Sequence, residues 1–260
     1  MQNQIARFAS SVLTLGEMEA RKIRHDSTEL WMRAIQPALW LTIFGTILGA
    51  VRGLTQFTNG YSYTQFIAPG VLAQSVLFVA IFYGILIVWE RDFGLLTKLL
   101  STPSPRSSII VGKALAAGVR GIFQGIVIVA LALIIGVNLR FDALDVLGVL
   151  AVAVLFAMCF ASLSMILASL LKTRDRMMGI GQAITMPLFF ASNAIYPVSL
   201  MPKALQYVAL ANPMTYVVDA MRAMLLTGDY STLPTDILAL LISTTVMIAI
   251  ASLTLKRLIE

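Results

Sequence analysis

Residues able to do chemistry are few in this chain, and they are scattered. One histidine, His25, one cysteine, Cys159, and no clustered carboxylates leave neither a zinc site nor a Cys/His nucleophile to assemble. Serines are frequent. Yet Ala153, Ala157, Ala161, Ser164 and Ala168 fall at helical spacing inside an apolar run, where small residues serve as helix-packing contacts. The only Gly-Lys pair, Gly112-Lys113, is followed by Ala114 and has Ser107 where a phosphate-binding loop needs its first glycine. No catalytic residue, no metal site and no nucleotide cradle is expected of this polypeptide.

Two interruptions of the apolar sequence carry more information. The first, ERDFGLLTKLLSTPSPRSSIIVGK from Glu90, places Asp92 where it can cap a short helix. Leu95, Leu96, Leu99 and Leu100 then form an i, i+1, i+4, i+5 stripe that Pro103 and Pro105 end. Such a stripe makes either a docking knob for another protein or a helix resting on the lipid surface, and composition does not separate the two. The second interruption runs from Asn193 to Pro234, broken by Pro197, Pro202, Pro213 and Gly228. Its apolar pieces, 204–211 and 215–226, are too short to cross a bilayer, so a re-entrant helical hairpin over 194–232 is expected. Within NPMTYVVDAMR, Asn212 is a good N-cap and Pro213 a good first helical residue, while Asp219 and Arg222, three apart, share a face where they can pair. The alternative is an exposed outer helix with a surface ion pair worth at most ~1 kcal/mol.

The apolar remainder must hold these pieces in place. Of 260 residues 58% are hydrophobic and 12% charged, far less charge than a soluble domain carries. Several runs reach the ~20 residues that a helix needs to span a bilayer core of ~30 Å. They lack the polar alternation of a barrel strand. The expected fold is therefore an all-α polytopic membrane protein in a single unit, 1–260, with six transmembrane helices near 31–51, 66–89, 109–137, 144–171, 177–193 and 233–255. In residues 1–30, Ile5, Phe8, Val12, Leu13 and Leu15 alternate with polar positions ahead of Arg21, Lys22 and Arg24. That pattern reads as an amphipathic helix on the membrane surface rather than a signal peptide.

The net charge of +6 follows membrane topology and calls for no nucleic acid. With both termini cytoplasmic, the inner side collects Arg7, Arg21, Lys22, Arg24, Arg33, Arg91, Lys98, Arg106, Lys113, Lys172, Arg174, Arg176, Lys256 and Arg257. The outer side keeps only Arg52, Arg140, Lys203 and Arg222, which is the positive-inside bias of a plasma-membrane protein. Arg120 lies inside the third run, where it either snorkels to the inner headgroups or pairs with a carboxylate of the preceding loop.

The order of these parts resembles the permease subunit of the type-2 ATP-binding-cassette exporters, the family that includes daunorubicin-type drug exporters and polysaccharide exporters. The likeness covers nearly the whole chain. It rests on a basic amphipathic N-terminus, RAIQPALWLTIFG at the first span, YTQFIAPG opening the second, ERDFGLLTKLLSTPSPR between second and third, and YPVSLMPKALQYVALANPMTYVVDAMR before the last. The resemblance implies a six-span half-transporter of a prokaryotic inner membrane, dimerising with a second, identical copy and recruiting separately encoded ATPase subunits that carry ATP and Mg. This chain itself would bind no cofactor.

By the same likeness residues 90–105 hold the coupling helix. Glu90, Arg91 and Asp92 would make polar contacts with the ATPase, Phe93, Leu95, Leu96 and Leu99 would fill its groove, and Gly94 and Lys98 lie between them. A transport path would run between the first, second and fifth spans, with Phe44, Phe78, Phe82, Met186, Phe189 and Phe190 as apolar candidates, and the hairpin holding Asn212, Pro213, Asp219 and Arg222 would be its outer lid. Alternating access driven by ATP would follow. An aromatic, methionine-rich path points to a lipophilic small molecule or drug, with multidrug efflux as the outcome. A polysaccharide or lipid-linked glycan moved by the same architecture is the alternative. An ion-coupled secondary transporter would need ionisable groups near mid-membrane, where Gln124, Gln182 and Thr185 are the best on offer.

Overall fold

The computed structural model describes residues 28–49, 60–95, 106–171 and 173–254, with single positions at 58 and 98 and scattered ones between 8 and 25. Among the described residues every regular element is a helix. The chain runs through α1 (Thr28–Leu39), a π-helical stretch (Trp40–Phe44), α2 (Gly45–Gly49), α3 (Tyr63–Asp92), α4 (Arg106–Ile134), α5 (Ala143–Leu170) and α6 (Arg174–Phe190). A 3-10 turn (Val198–Leu200), α7 (Lys203–Ala211), α8 (Pro213–Arg222), a second π stretch (Ala223–Thr227) and α9 (Leu233–Thr254) complete it.

Four of these helices, α3, α4, α5 and α9, are long and apolar enough to cross a membrane, against six expected. The remaining two runs are helical but broken or short. Pro37 in α1 offers no N–H to the preceding turn, and the helix widens at Trp40–Phe44 before α2 resumes. Helix α6 has 17 residues and opens on Arg174, Asp175 and Arg176, so its apolar part falls short of ~20 residues.

Helix α3 is the centre of the bundle. Its start is fixed by a capping box: the Ser62 hydroxyl accepts the Gln65 N–H, and the Gln65 side chain accepts the Ser62 N–H. Residues 66–81 are buried without a break, because α1, α4, α5 and α6 all pack around it. In lipid, tails are as apolar as leucine, so close backbone approach and interhelical hydrogen bonds must supply the attraction. The sequence provides for that approach. Ser164 of α5 donates to the Ile81 carbonyl and accepts the Gly84 N–H at 3.0 Å. Gly121 of α4 meets Ala157, Gly118 meets Val154, and Ala153, Ala157, Ala161, Ser164 and Ala168 are all buried.

Other parts attach to this core. Of the expected N-terminal surface helix, Phe8, Val12, Leu13, Gly16 and Arg21 are helical, Val12 is buried, Leu13 is exposed, and Gly16 lies beside Leu115 of α4. Ile5, Leu15, Lys22 and Arg24 lie outside the described residues. Arg120 rests with its guanidinium 5.6 Å above the Tyr83 ring, an aromatic seat that neither expectation named. Helix α9 stays at the periphery, exposing Leu238, Leu241, Ile242, Val246 and Leu253.

Candidate functional site

At one end of the bundle, α3 continues through Glu90, Arg91 and Asp92 instead of ending before them. Asp92 was expected to cap a new helix. The reason it does not is Gly94, whose left-handed φ of 69° closes α3 after Asp92, with the Phe93 N–H bonded to the Trp89 carbonyl and the Gly94 N–H to the Arg91 carbonyl. Charges on this last turn are spoken for within the chain. Glu90 forms an ion pair with Lys113 of α4, both largely buried. Asp92 receives Arg174 of α6 at 3.1 Å and Arg91 at 3.4 Å, while the Arg174 guanidinium lies 4.8 Å above the Trp89 ring. Beyond the turn Phe93, at 68% exposure, and Leu95 project outward, and Lys98 is exposed on the helical turn that follows, its N–H bonded to the Gly94 carbonyl. Leu96 and Leu99 of the expected groove-filling set lie outside the described residues.

The opposite end holds the hairpin. Asn212 caps α8 by accepting the Met214 N–H at 3.0 Å, and its amide donates to the Leu188 and Ala191 carbonyls at 2.7 and 2.9 Å, stapling the hairpin to the end of α6. Pro213 occupies the first turn of α8, where its missing N–H costs nothing. Asp219 and Arg222 pair at 3.3 Å, and the pair is enclosed. Asn193 donates to Asp219, while Arg222 donates to the Asn193 carbonyl at 2.8 Å and lies 4.0 Å above the Phe66 ring. Helix α8 is thus buried, whereas α7 exposes Tyr207, Val208 and Leu210. A polar cavity of about 370 Å³ opens beside this cluster, lined by Tyr61, Asp219, Arg222, Thr227, Asp229 and Thr232. The Asp229 carboxyl is held below the usual carboxylate range by the Ser231 backbone N–H that it accepts, so it is charged at neutral pH.

Between these ends the expected path residues fall into two groups. Phe78 and Phe82, stacked with centroids 5.9 Å apart, line a cavity of about 370 Å³ with Met32, Arg33, Gln36 and Gln182, so α1, α3 and α6 each supply a wall. Phe44, Phe189 and Phe190 instead gather around Trp40: Phe44 stacks on it at 4.4 Å, and Phe189 and Phe190 meet it edge-on at 5.6 and 6.1 Å. Met186 lies half-buried on α6 and joins neither set. Sequence reasoning missed Trp40, Arg33 and Gln36. The π stretch turns Trp40 inward, and no periodicity announces that. Gln74 and Gln124 are fully buried, and among the described residues neither amide finds a hydrogen-bond partner.

A bundle of apolar helices with such small-residue crossings is a multi-pass membrane protein. The chain belongs to the ABC-2 type transporter family, whose sequence profile matches residues 10–226. It is 28% identical over 198 residues to ycf38 of Porphyra purpurea, provisionally named a transport permease, with 76% of this chain and 67% of that protein covered. It is 29% identical over 192 residues to nodulation protein J of Rhizobium leguminosarum bv. viciae, covering 73% and 72%. With the inner membrane transport permease YadH of Escherichia coli strain K12 it shares 27% over 209 residues, covering 76% and 77%. The chain spans about two thirds of the length of the ycf38 relatives, 64% for that of Cyanophora paradoxa. Membership makes it a type-2 permease, a membrane transport component.

Proposed function

We propose that this chain is the membrane half of an ATP-driven exporter, moving a lipophilic small molecule or drug out of a prokaryotic cell as a homodimer bound to two ATPase subunits. ATP and Mg sit on those subunits, and this chain binds no cofactor. Six spans, with α1 through α2 and α6 as the two interrupted ones, carry the chain with both termini in the cytoplasm. The hairpin of α7 and α8 serves as the outer lid over a path between α1, α3 and α6.

One observation carries this reading. The most buried helix of the bundle ends in an exposed apolar stub, Phe93 and Leu95, while its last charged turn is tied to α4 through Glu90–Lys113 and to α6 through Asp92–Arg174. A push on that stub reaches three helices at once, and ATP must favour one of their two packings for anything to be transmitted. Substituting Phe93→Asp together with Leu95→Asp abolishes co-purification of the ATPase subunit while membrane insertion persists. Undiminished recruitment would remove the coupling assignment. A second reading, export of a glycan or lipid-linked glycan, draws on the polar cavity beside Arg222, whose tyrosine, carboxylates and threonines suit a hydroxyl-rich group. ATPase stimulation in the reconstituted complex separates the two: hydrophobic drugs stimulate under the first, glycan lipids alone under the second.

A further inference from the structure

Helices α3 and α6 each carry a proline near the hairpin. Pro69 and Pro187 lack the N–H that the Gln65 and Ala183 carbonyls would accept, so both helical ladders are interrupted there. The hairpin is fastened beyond or beside these prolines. Tyr63 donates to the Ile195 carbonyl at 3.1 Å, Arg222 lies over the Phe66 ring, and a Cβ at Gly70 would come within 2.5 Å of the Ala194 carbonyl oxygen. On α6 the Asn212 amide holds the Leu188 and Ala191 carbonyls. The other ends of the same two helices belong to the body of the bundle, with Ile81 and Gly84 bonded to Ser164, Glu90 to Lys113 and Asp92 to Arg174. Between the two sets of ties, from Ile67 to Ala80, α3 makes no interhelical hydrogen bond among the described residues, and Ser75 turns back to the Leu72 carbonyl of its own helix.

That middle stretch also holds an amide that the present packing leaves unserved. Gln74, one turn from Gly70, is 0% exposed, and neither polar atom of its side chain has a partner among the described residues. Gln124 of α4 is in the same condition, and the contact of Gly121 with Val76 sets it within about one turn of Gln74 in height. Complete burial within one chain keeps lipid and a second copy from reaching either. Orphaned amides in an apolar interior are costly, and these two lie at the level where two neighbouring helices can bend.

We infer that the hairpin and the adjoining ends of α3 and α6 form one lid that rocks on Pro69 and Pro187, and that Gln74 and Gln124 gain hydrogen-bond partners in its second position. Helix α5 is the fulcrum: it runs unbroken from Ala143 to Leu170, and just before its start the Arg140 N–H holds the Leu225 carbonyl, beyond α8, at 2.8 Å. The inference rests on the exporter reading and deepens it, since alternating access needs two packings and the prolines supply the joint between them.

The test uses the full chain in nanodiscs, carrying Cys159→Ala and diluted into unlabelled chain so that only distances within one molecule are read. Spin labels at Tyr207→Cys on the lid and Asp175→Cys on the body give two distances or one broad spread, whereas Ser107→Cys with Asp175→Cys, both on the body, gives one narrow distance. Gln74→Met with Gln124→Met keeps side-chain length, removes the orphaned amides, raises the thermal midpoint by about 2–5 °C and narrows the lid–body distribution. Pro69→Ala with Pro187→Ala narrows it independently, so the joint is tested even where the methionine pair folds poorly. A lid–body distance as narrow as the body pair in the parent, a spread that survives the proline replacements, or a midpoint that stays or falls in a folded methionine variant would each overturn the proposal. No ATPase subunit, nucleotide or cargo enters these measurements. Their failure therefore leaves recruitment through Phe93 and Leu95 standing, and failed recruitment leaves the joint standing.

Discussion

Gly84 and Ser164 hold α3 and α5 at a separation that no larger pair allows. A Cβ at position 84 would collide with the Ser164 hydroxyl, lie 2.7 Å from the Met177 methyl and 2.9 Å from the Ser164 carbonyl oxygen. The flexible methionine can move, but the backbone carbonyl cannot. Gly84→Ala should therefore lower stability by about 1–3 kcal/mol as an overpacked site, exceeding the ~1 kcal/mol that alanine gains in helix propensity. Gly179→Ala is the control, since nothing lies within 4 Å of its Cβ position, and it should be neutral or slightly stabilising. Thermal unfolding of both purified variants checks the pair. At this scale the sequence was readable where a residue type has one use: small residues in an apolar run mean packing, and Asn-Pro means a helix start. It was not readable where a partner lies far along the chain. Nothing local tells Arg222 that Phe66 and the Asn193 carbonyl enclose it, or Arg33 that Phe82 lies beneath it.

The α3–α4 connection shows how an element can be found and its boundary misplaced. Two prolines and a leucine stripe announced a short helix after the second span, and Leu95 and Lys98 are helical. The cap position predicted at Asp92 neglects Gly94, whose freedom to adopt a positive φ lets α3 run on through Asp92 and close there, with the Asp92 carboxylate paired to Arg174 of α6. That shift changes what Asp92 does. Both it and Arg174 are more than a third exposed, so the pair adds at most ~1 kcal/mol to stability. Its value lies in joining the end of α3 to the start of α6. Asp92→Arg and Arg174→Asp should each leave thermal stability nearly unchanged, yet lower substrate moved per ATP hydrolysed in the reconstituted complex. The double exchange should restore that ratio. Single variants that transport as efficiently as the parent would mean that α6 needs no strut.

For the whole molecule, three distant contacts show how the two runs outside the four long apolar helices lie along the bundle. Tyr230 donates to Asp145 at 2.7 Å, so the chain just before α9 lies at the start of α5. Helix α6 begins at the other end of α5, ~40 Å away for 28 residues at 1.5 Å each. Between Arg174 and Tyr230 the chain has climbed the height of the bundle, and α6 is the element that makes the climb. Likewise Thr64 donates to the Gly45 carbonyl at 3.0 Å near the start of α3, while Arg33 lies over Phe82, roughly 27 Å further along that helix. Both interrupted runs therefore extend along most of the bundle despite a π stretch in one and charges in the other. Native Cys159 is buried, so the parent chain should resist a membrane-impermeant maleimide applied to intact cells. Ser231→Cys, exposed beside the start of α9, should be labelled from outside, and Asp175→Cys, exposed at the start of α6, only after the membrane is opened. Labelling of both from one side would mean that α6 does not cross, and the reverse pattern would turn the topology over, placing the Phe93 stub where no cytoplasmic ATPase can reach it.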